Sequence, residues 1–279
     1  MSIPACLYIV ATPIGNIDDM TPRAVNTLKA VDIIACEDTR TSGKLLSHFN
    51  IDSQTWAYHE HNSEIQTPKI IEMIQRGHPI ALISDAGTPL VSDPGFQLVQ
   101  AAHEAGVKVV PVAGVSAAIA ALSVAGLPSD RFSFIGFLPA KTHGRQKQLE
   151  GIKDNTETLI FYEAPHRILA SLADMVTVFG SERPVTYCRE LTKTFETVRK
   201  TTLSELSEFV ANDPNQQKGE IVLVVGGQPK ADNENLEQHD DLLKRLLEDL
   251  SVKKAAALAS DLTGVKKNAL YQRLLELTS

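Results

Sequence analysis

Three short segments carry side chains able to move a proton. Glu37 and Asp38 stand beside Arg40; His59, Glu60 and His61 are consecutive; Glu163, His166 and Arg167 fall within one stretch of five residues. Each group supplies a candidate general base, and a base positioned on a weakly acidic hydroxyl accelerates its attack by roughly 10²–10⁴-fold. The arginines offer different chemistry. A planar guanidinium grips phosphate through paired hydrogen bonds, so Arg40 and Arg167 are candidate phosphate contacts. Salt bridges to Glu37, Asp38 or Glu163 are the alternative. A fourth segment, Ser84-Asp85-Ala86-Gly87-Thr88-Pro89-Leu90-Val91-Ser92-Asp93-Pro94-Gly95, has six Gly, Pro or Asp residues among its twelve. It can be neither strand nor helix, and its glycines let backbone approach a ligand closely.

These segments follow apolar runs, which is where an open α/β sheet places its ligands. Leu7–Ala11, Val31–Cys36, Thr55–Tyr58, Ile80–Ile83 and Val107–Val112 read as strands, with helical patterns between them. Such alternation predicts βαβ units and a mostly parallel sheet. Thr21-Pro22 opens the first helix, with Thr21 as N-cap and Pro22 in the first turn. A third turn, Ala113-Gly114-Val115-Ser116-Ala117, leads into a small-residue helix reaching Ala125. Past Pro128 the pattern restarts: strands at Phe132–Phe137, Thr158–Tyr162, Pro184–Cys188 and Ile221–Val225, with helices around Thr142–Lys153, His166–Val178 and Ser204–Asn212. The turn Lys218-Gly219-Glu220 precedes the last strand. The expected fold class is α/β: one α/β domain over 1–128, a second over 129–228 that completes a cleft, and a helical extension over 236–279.

The stretch Gln228–His239 has the polar composition of a linker. Beyond it, Leu242, Leu243, Leu246, Leu247 and Leu250 form a helical stripe. Two more helices follow, Val252–Leu262 and Lys266–Leu277, with Gly264 suited to the left-handed position that ends the first of them. Three short helices with a glycine turn suggest a helix-turn-helix. Net charge is −7, yet Ser251–Ser279 holds five basic and two acidic residues, a net of +3. Lys253, Lys254, Lys266 and Lys267 could meet phosphate, or lie solvated on a small packed bundle.

Several classes drop out. No Gly-x-Gly-x-x-Gly follows the first strand, no P-loop is present, and no Gly-x-Ser-x-Gly elbow occurs. Cys6, Cys36 and Cys188 have no pairing or zinc-ligand logic, so no metal is expected and the thiols suit a reducing cytoplasm. No apolar stretch approaches the ~20 residues of a membrane span, and the N-terminus has no secretory-signal pattern.

Taken in chain order, Val10-Ala11-Thr12-Pro13-Ile14-Gly15-Asn16, Cys36-Glu37-Asp38-Thr39-Arg40, Tyr58-His59-Glu60-His61-Asn62, Ser84-Asp85-Ala86-Gly87-Thr88-Pro89 and Phe161-Tyr162-Glu163-Ala164-Pro165-His166-Arg167 resemble the tetrapyrrole-methylase superfamily of S-adenosylmethionine-dependent methyltransferases. Within it they are most similar to the bacterial enzymes that methylate the ribose 2′-hydroxyl of 16S ribosomal RNA. The resemblance spans Leu7 to about Gly227, and the trailing helices match that group's extension.

The resemblance implies a cytoplasmic homodimer acting on a cytidine in the decoding region of the 30S subunit, with no membrane partner. It places the methyl donor in a cleft between the two domains. Pro13 would line its methionine side; Asp85, Gly87 and Thr88 would hold it near its ribose and amino-acid parts. Ser116 and Ala117 would contact it from the third turn, and Ala164, Gly219 and Glu220 would approach its adenine. His166, Glu37 and Glu163 are the expected catalytic group. For His166, a helix start would keep the imidazole neutral; capping or phosphate contact is the alternative. Arg40, Arg167, His59 and His61 are expected toward RNA, and Arg189 and Arg199 are further candidates. Trp56 and Tyr58 could stack on a splayed base, with core packing the alternative for Trp56. Two rivals remain: a C-methyltransferase acting on a small tetrapyrrole, and a ligand-sensing DNA-binding regulator.

Overall fold

The computed structural model describes residues 3–229, 236–265 and 267–278. Five strands, β1 (Leu7–Val10), β2 (Ile33–Cys36), β3 (Gln54–Ala57), β4 (Ile80–Ile83) and β5 (Val109–Val112), form a parallel sheet in the order β3-β2-β4-β1-β5. A parallel sheet is covered on both faces, so its central strands must be apolar at every position. Every residue of β2 and β4 is accordingly buried. Alternation then sorts the side chains. Val10, Ile34, Cys36, Ala81 and Ile83 pack against α1 (Pro22–Ala30) and α2 (Thr39–His48). Leu7, Ile33, Ala35, Ile80 and Leu82 pack against α3 (Ser63–Gln75) and α4 (Phe96–Glu104).

Local signals behave as their chemistry requires. Thr21 caps α1 by accepting the Ala24 N–H at 3.1 Å, with Pro22 in the first turn. The second helix starts at Thr39. Asp38 caps it, its Oδ1 accepting the Arg40 N–H at 2.8 Å.

The second sheet contains β6 (Phe132–Phe137), β7 (Thr158–Glu163), β8 (Pro184–Arg189), β9 (Thr197–Thr202) and β10 (Ile221–Val225), ordered β6-β7-β10-β8-β9. Only β6 and β7 pair in parallel. On one face, α6 (Thr142–Glu150), α7 (Ile168–Phe179) and α8 (Leu203–Asn212) cover Leu159, Phe161, Tyr187 and Leu223. On the other, α5 (Ala117–Val124) lays Ala118, Ala121 and Leu122 against Ile160, Val222 and Val224. Pro128 follows α5, so the helix that packs on the second sheet precedes that proline. Strand β9 escapes sequence reading: Thr-Val-Arg-Lys-Thr-Thr has no apolar alternation because it is an edge strand, bonded among the described residues only to β8.

The described residues of 154–156 and 227–279 form a compact unit of their own. In it α9 (Asp240–Leu247), α10 (Val252–Thr263) and α11 (Lys267–Thr278) enclose Leu243, Ala255, Ala259, Leu270 and Leu274. Gly264 ends α10 at φ 73°. Arg273 clamps Asp240 with bonds of 2.9 and 2.7 Å and also pairs with Glu276. Part of the expected linker, Leu236–His239, is a 3₁₀ turn; residues 230–235 and Lys266 lie outside the described residues. Among the described residues no helix is long and apolar enough to cross a membrane, and all three cysteines are buried free thiols.

Candidate active site

The turns that end the strands of the first sheet are laced together. Thr12 and Gly87 exchange backbone hydrogen bonds of 2.8 and 3.0 Å, joining the first turn to the second. The Thr88 hydroxyl donates to the Val115 carbonyl at 2.8 Å, joining the second to the third. The Ala118 N–H then donates to the Tyr162 hydroxyl at 3.1 Å, tying the start of α5 to β7. Between these turns and the second sheet lies a cavity of about 360 Å³.

Seven residues expected around a donor border this cavity: Gly87, Thr88, Ser116, Ala117, Ala164, Gly219 and Glu220. Pro13 and Asp85 do not; their neighbours Ile14 and Ala86 do. Asp85 points toward the end of β2, where its Oδ1 accepts the Asp38 N–H at 3.3 Å.

The expected bases lie differently. Glu163 borders the cavity but is 3% exposed, and its carboxylate is engaged on both oxygens. Oε1 accepts the Ala164 N–H at 2.8 Å and stands 3.1 Å from Arg167 Nε; Oε2 accepts the Ser171 hydroxyl. His166 is exposed, in a 3₁₀ turn between β7 and α7, and does not border the cavity. Glu37 is half-buried and also off the wall. Burial pushes its carboxyl up, with Asp85 and Glu60 adding to the effect.

The arginines divide. Arg167 turns inward to Glu163 and the Leu138 carbonyl, so it holds β6 to β7 rather than facing out. Arg189 is buried against Gln216, Lys218 and Phe195, and Arg199 lies over the Phe209 ring at 4.2 Å. Arg40 remains 90% exposed, paired with Asp38 at 3.3 Å. That guanidinium holds the Asp38 carboxyl below the usual carboxylate range.

In the loop after β3, the His59 N–H donates to Asn62 Oδ1 at 2.9 Å, and Asn62 Nδ2 donates to the Ala57 carbonyl at 3.0 Å. His59 and His61 stand edge to face, centroids 6.0 Å apart, with His61 exposed. Tyr58 is a core residue, its hydroxyl 3.0 Å from that of Thr67, and is not available for stacking. Trp56 packs at the edge of the same core.

A family model described as Tetrapyrrole (Corrin/Porphyrin) Methylases matches residues 6–207. The chain belongs to the tetrapyrrole methylase family. A second model, the RsmI C-terminal HTH domain, matches residues 233–278, the span of the three-helix unit. A Pseudomonas aeruginosa relative named Ribosomal RNA small subunit methyltransferase I is 54% identical over 272 residues, covering 97% of this chain and 96% of its own. One of the same name from Escherichia coli O157:H7 is 52% identical over 271 residues, covering 97% and 94%. Among solved structures, the methyltransferase CobJ superimposes with a TM-score of 0.60 at 18% identity, covering 80% of this chain and 94% of that one. Diphthine synthase gives 0.60 at 14%, covering 79% and 89%. These two likenesses show a shared fold.

Two further residues of this tetrapyrrole methylase border the cavity without having been singled out in the sequence. Tyr162 sits inside a motif, but a strand tyrosine reads as core. Asp93 lies in the Ser84–Gly95 run, where its Asp-Pro-Gly context reads as turn chemistry alone. Burial pushes its carboxyl up to about 6, with Glu37 and Asp85 adding to the shift.

Proposed function

We propose that the chain transfers a methyl group from S-adenosylmethionine to the ribose 2′-hydroxyl of a cytidine in 16S ribosomal RNA. It acts on the small ribosomal subunit, in the cytoplasm and as a homodimer. The observation that carries this reading is the end-to-end similarity, over 97% of the chain, to relatives named for small-subunit ribosomal RNA methylation.

The cavity residues suit such a donor. Apolar side chains and bare backbone from Gly87, Ala117, Ala164 and Gly219 give flat walls for an adenine. Ser116 stands at the N-cap of α5 without making a capping bond, so that helix end can meet a carboxylate. Glu220 adds a carboxylate to the wall. When bound, S-adenosylmethionine supplies an activated methyl group. The protein's work is then to align the acceptor, and alignment of this kind contributes roughly 7–11 kcal/mol.

Arg40, exposed at the end of β2, can exchange Asp38 for an RNA phosphate, with His59 and His61 beside it on the neighbouring strand end. Edge strand β6 exposes Phe132, Phe134 and Phe137, an apolar edge that a second copy would cover. The test is methyl transfer from labelled donor to purified small subunits and to a tetrapyrrole precursor. Label on subunit RNA is expected; label on the precursor alone would favour the small-molecule alternative.

A further inference from the structure

A methyl acceptor has to enter beside the donor, so its seat must adjoin the donor cavity. A second cavity, of about 280 Å³, meets this requirement. It is lined by Tyr58, Glu60 and Ser63 from the segment after β3, and by Pro94, Phe96 and Gln97 at the start of α4. Among the described residues, Asp93 alone borders both cavities. Phe96 is 69% exposed at this second wall, a free aromatic face of the kind on which unstacked bases lie.

The backbone carrying Asp93 is held in an uncommon conformation. Leu90 and Ser92 lie at φ 73° and 66°, a region costly for residues with a side chain and concentrated at functional sites. Leu90 is packed against the core of the first sheet, and the Ser92 hydroxyl lies against Gly136 of β6. The loop is therefore braced by both domains. Asp93 forms no ion pair among the described residues. Facing it are Ser84 and Asp85 at the end of β4, Glu37 at the end of β2, and Tyr162 of β7. Half-buried next to carboxylates, it is a stronger proton acceptor than an ordinary aspartate yet still ionised at neutral pH.

We propose that the second cavity seats the acceptor nucleoside and that Asp93, on the shared wall, is the base that takes the proton of its 2′-hydroxyl. This rests on the reading of the chain as a ribose methyltransferase. The proton leaves the hydroxyl for the carboxylate of Asp93. The oxygen's electron pair forms the new O–CH₃ bond, the pair of the broken bond stays on the donor's sulfur, and Asp93 returns its proton to water.

Asp93→Asn keeps the size of the side chain and removes the acceptor. Single-turnover methylation of small subunits is expected to fall ~10²–10⁴-fold, while calorimetric affinity for S-adenosylmethionine stays within about threefold of the parent. The parent's rate should decline below an inflection near pH 6 that the variant lacks. A readout independent of turnover comes from the protein alone. Because burial disfavours the charged form, Asp93→Asn should melt at a higher temperature than the parent at pH 8, and the gain should shrink toward pH 5 as Asp93 protonates. Phe96→Ala should raise KM for subunits and leave donor affinity unchanged.

Near-parental turnover in Asp93→Asn, or donor affinity lost in step with the rate, would overturn the assignment of the base. An unchanged KM in Phe96→Ala would overturn the seat. A parent protein that methylates no subunit RNA would instead overturn the functional reading itself.

Discussion

The Thr88 hydroxyl spans two turns that come from distant parts of the chain, and its 2.8 Å bond to Val115 ties the turn carrying Thr88 to the one leading to Ser116, both on the cavity wall. Thr88→Val preserves the shape and removes the donor. A hydrogen bond of this kind contributes about 1 kcal/mol net, so the variant is expected to lose about that much stability in denaturant unfolding and, with the wall loosened, to bind S-adenosylmethionine more weakly by calorimetry. The resemblance singled out Thr88 and Asp85 alike; the fold puts Thr88 on the cavity wall and turns Asp85 toward Asp38, a difference set by the folded path of a turn and not by either residue's identity. Glu163 and Arg167 show the same limit. Their four-residue spacing suits a catalytic pair or a salt bridge equally, and the burial that decides for the bridge comes from β6 and α7, remote in sequence.

At the scale of elements, the segment joining β8 to β9 acts as a bracket on the cavity. Glu190 accepts the Glu220 N–H at 2.9 Å, while Lys193 reaches both Glu190 and Glu220, at 2.9 and 3.0 Å. Gly219 makes this possible. It lies at φ 81°, and a Cβ there would fall 2.4 Å from the Glu190 carboxyl carbon. Gly219→Ala should destabilise the protein by roughly 1–2 kcal/mol from backbone conformation alone. By displacing Glu190 and Glu220 it should also weaken donor binding. Denaturant unfolding and calorimetry would check the two effects. The central strands of the first sheet were readable because two-sided burial demands continuous apolar runs. Strand β9, solvated along an edge, carries no such demand, and α5 hid its allegiance to the second sheet because small residues pack as readily on either.

For the whole molecule, the question is how a chain of net charge −7 handles a polyanion. The excess of basic residues after Ser251 is partly consumed inside the helical unit, where Arg273 pairs with Asp240 and Glu276. Lys253, Lys254 and Lys267 stay exposed. If this unit docks the ribosomal particle, deleting residues 227–279 should leave donor affinity unchanged and weaken subunit binding about tenfold or more, a change of about 1.4 kcal/mol. Equal subunit affinity would assign the unit another role. Its existence was evident from the leucine stripe and Gly264, whereas its partner could not be read, since exposed lysines look alike on a docking face and on a solvated one.

The most direct test of the account is nucleoside analysis of small-subunit RNA after incubation with the protein and labelled S-adenosylmethionine. The account predicts that the label appears as 2′-O-methylcytidine, at a single position in 16S ribosomal RNA. Label on a base carbon or nitrogen, on another nucleoside, or on no RNA at all would contradict it.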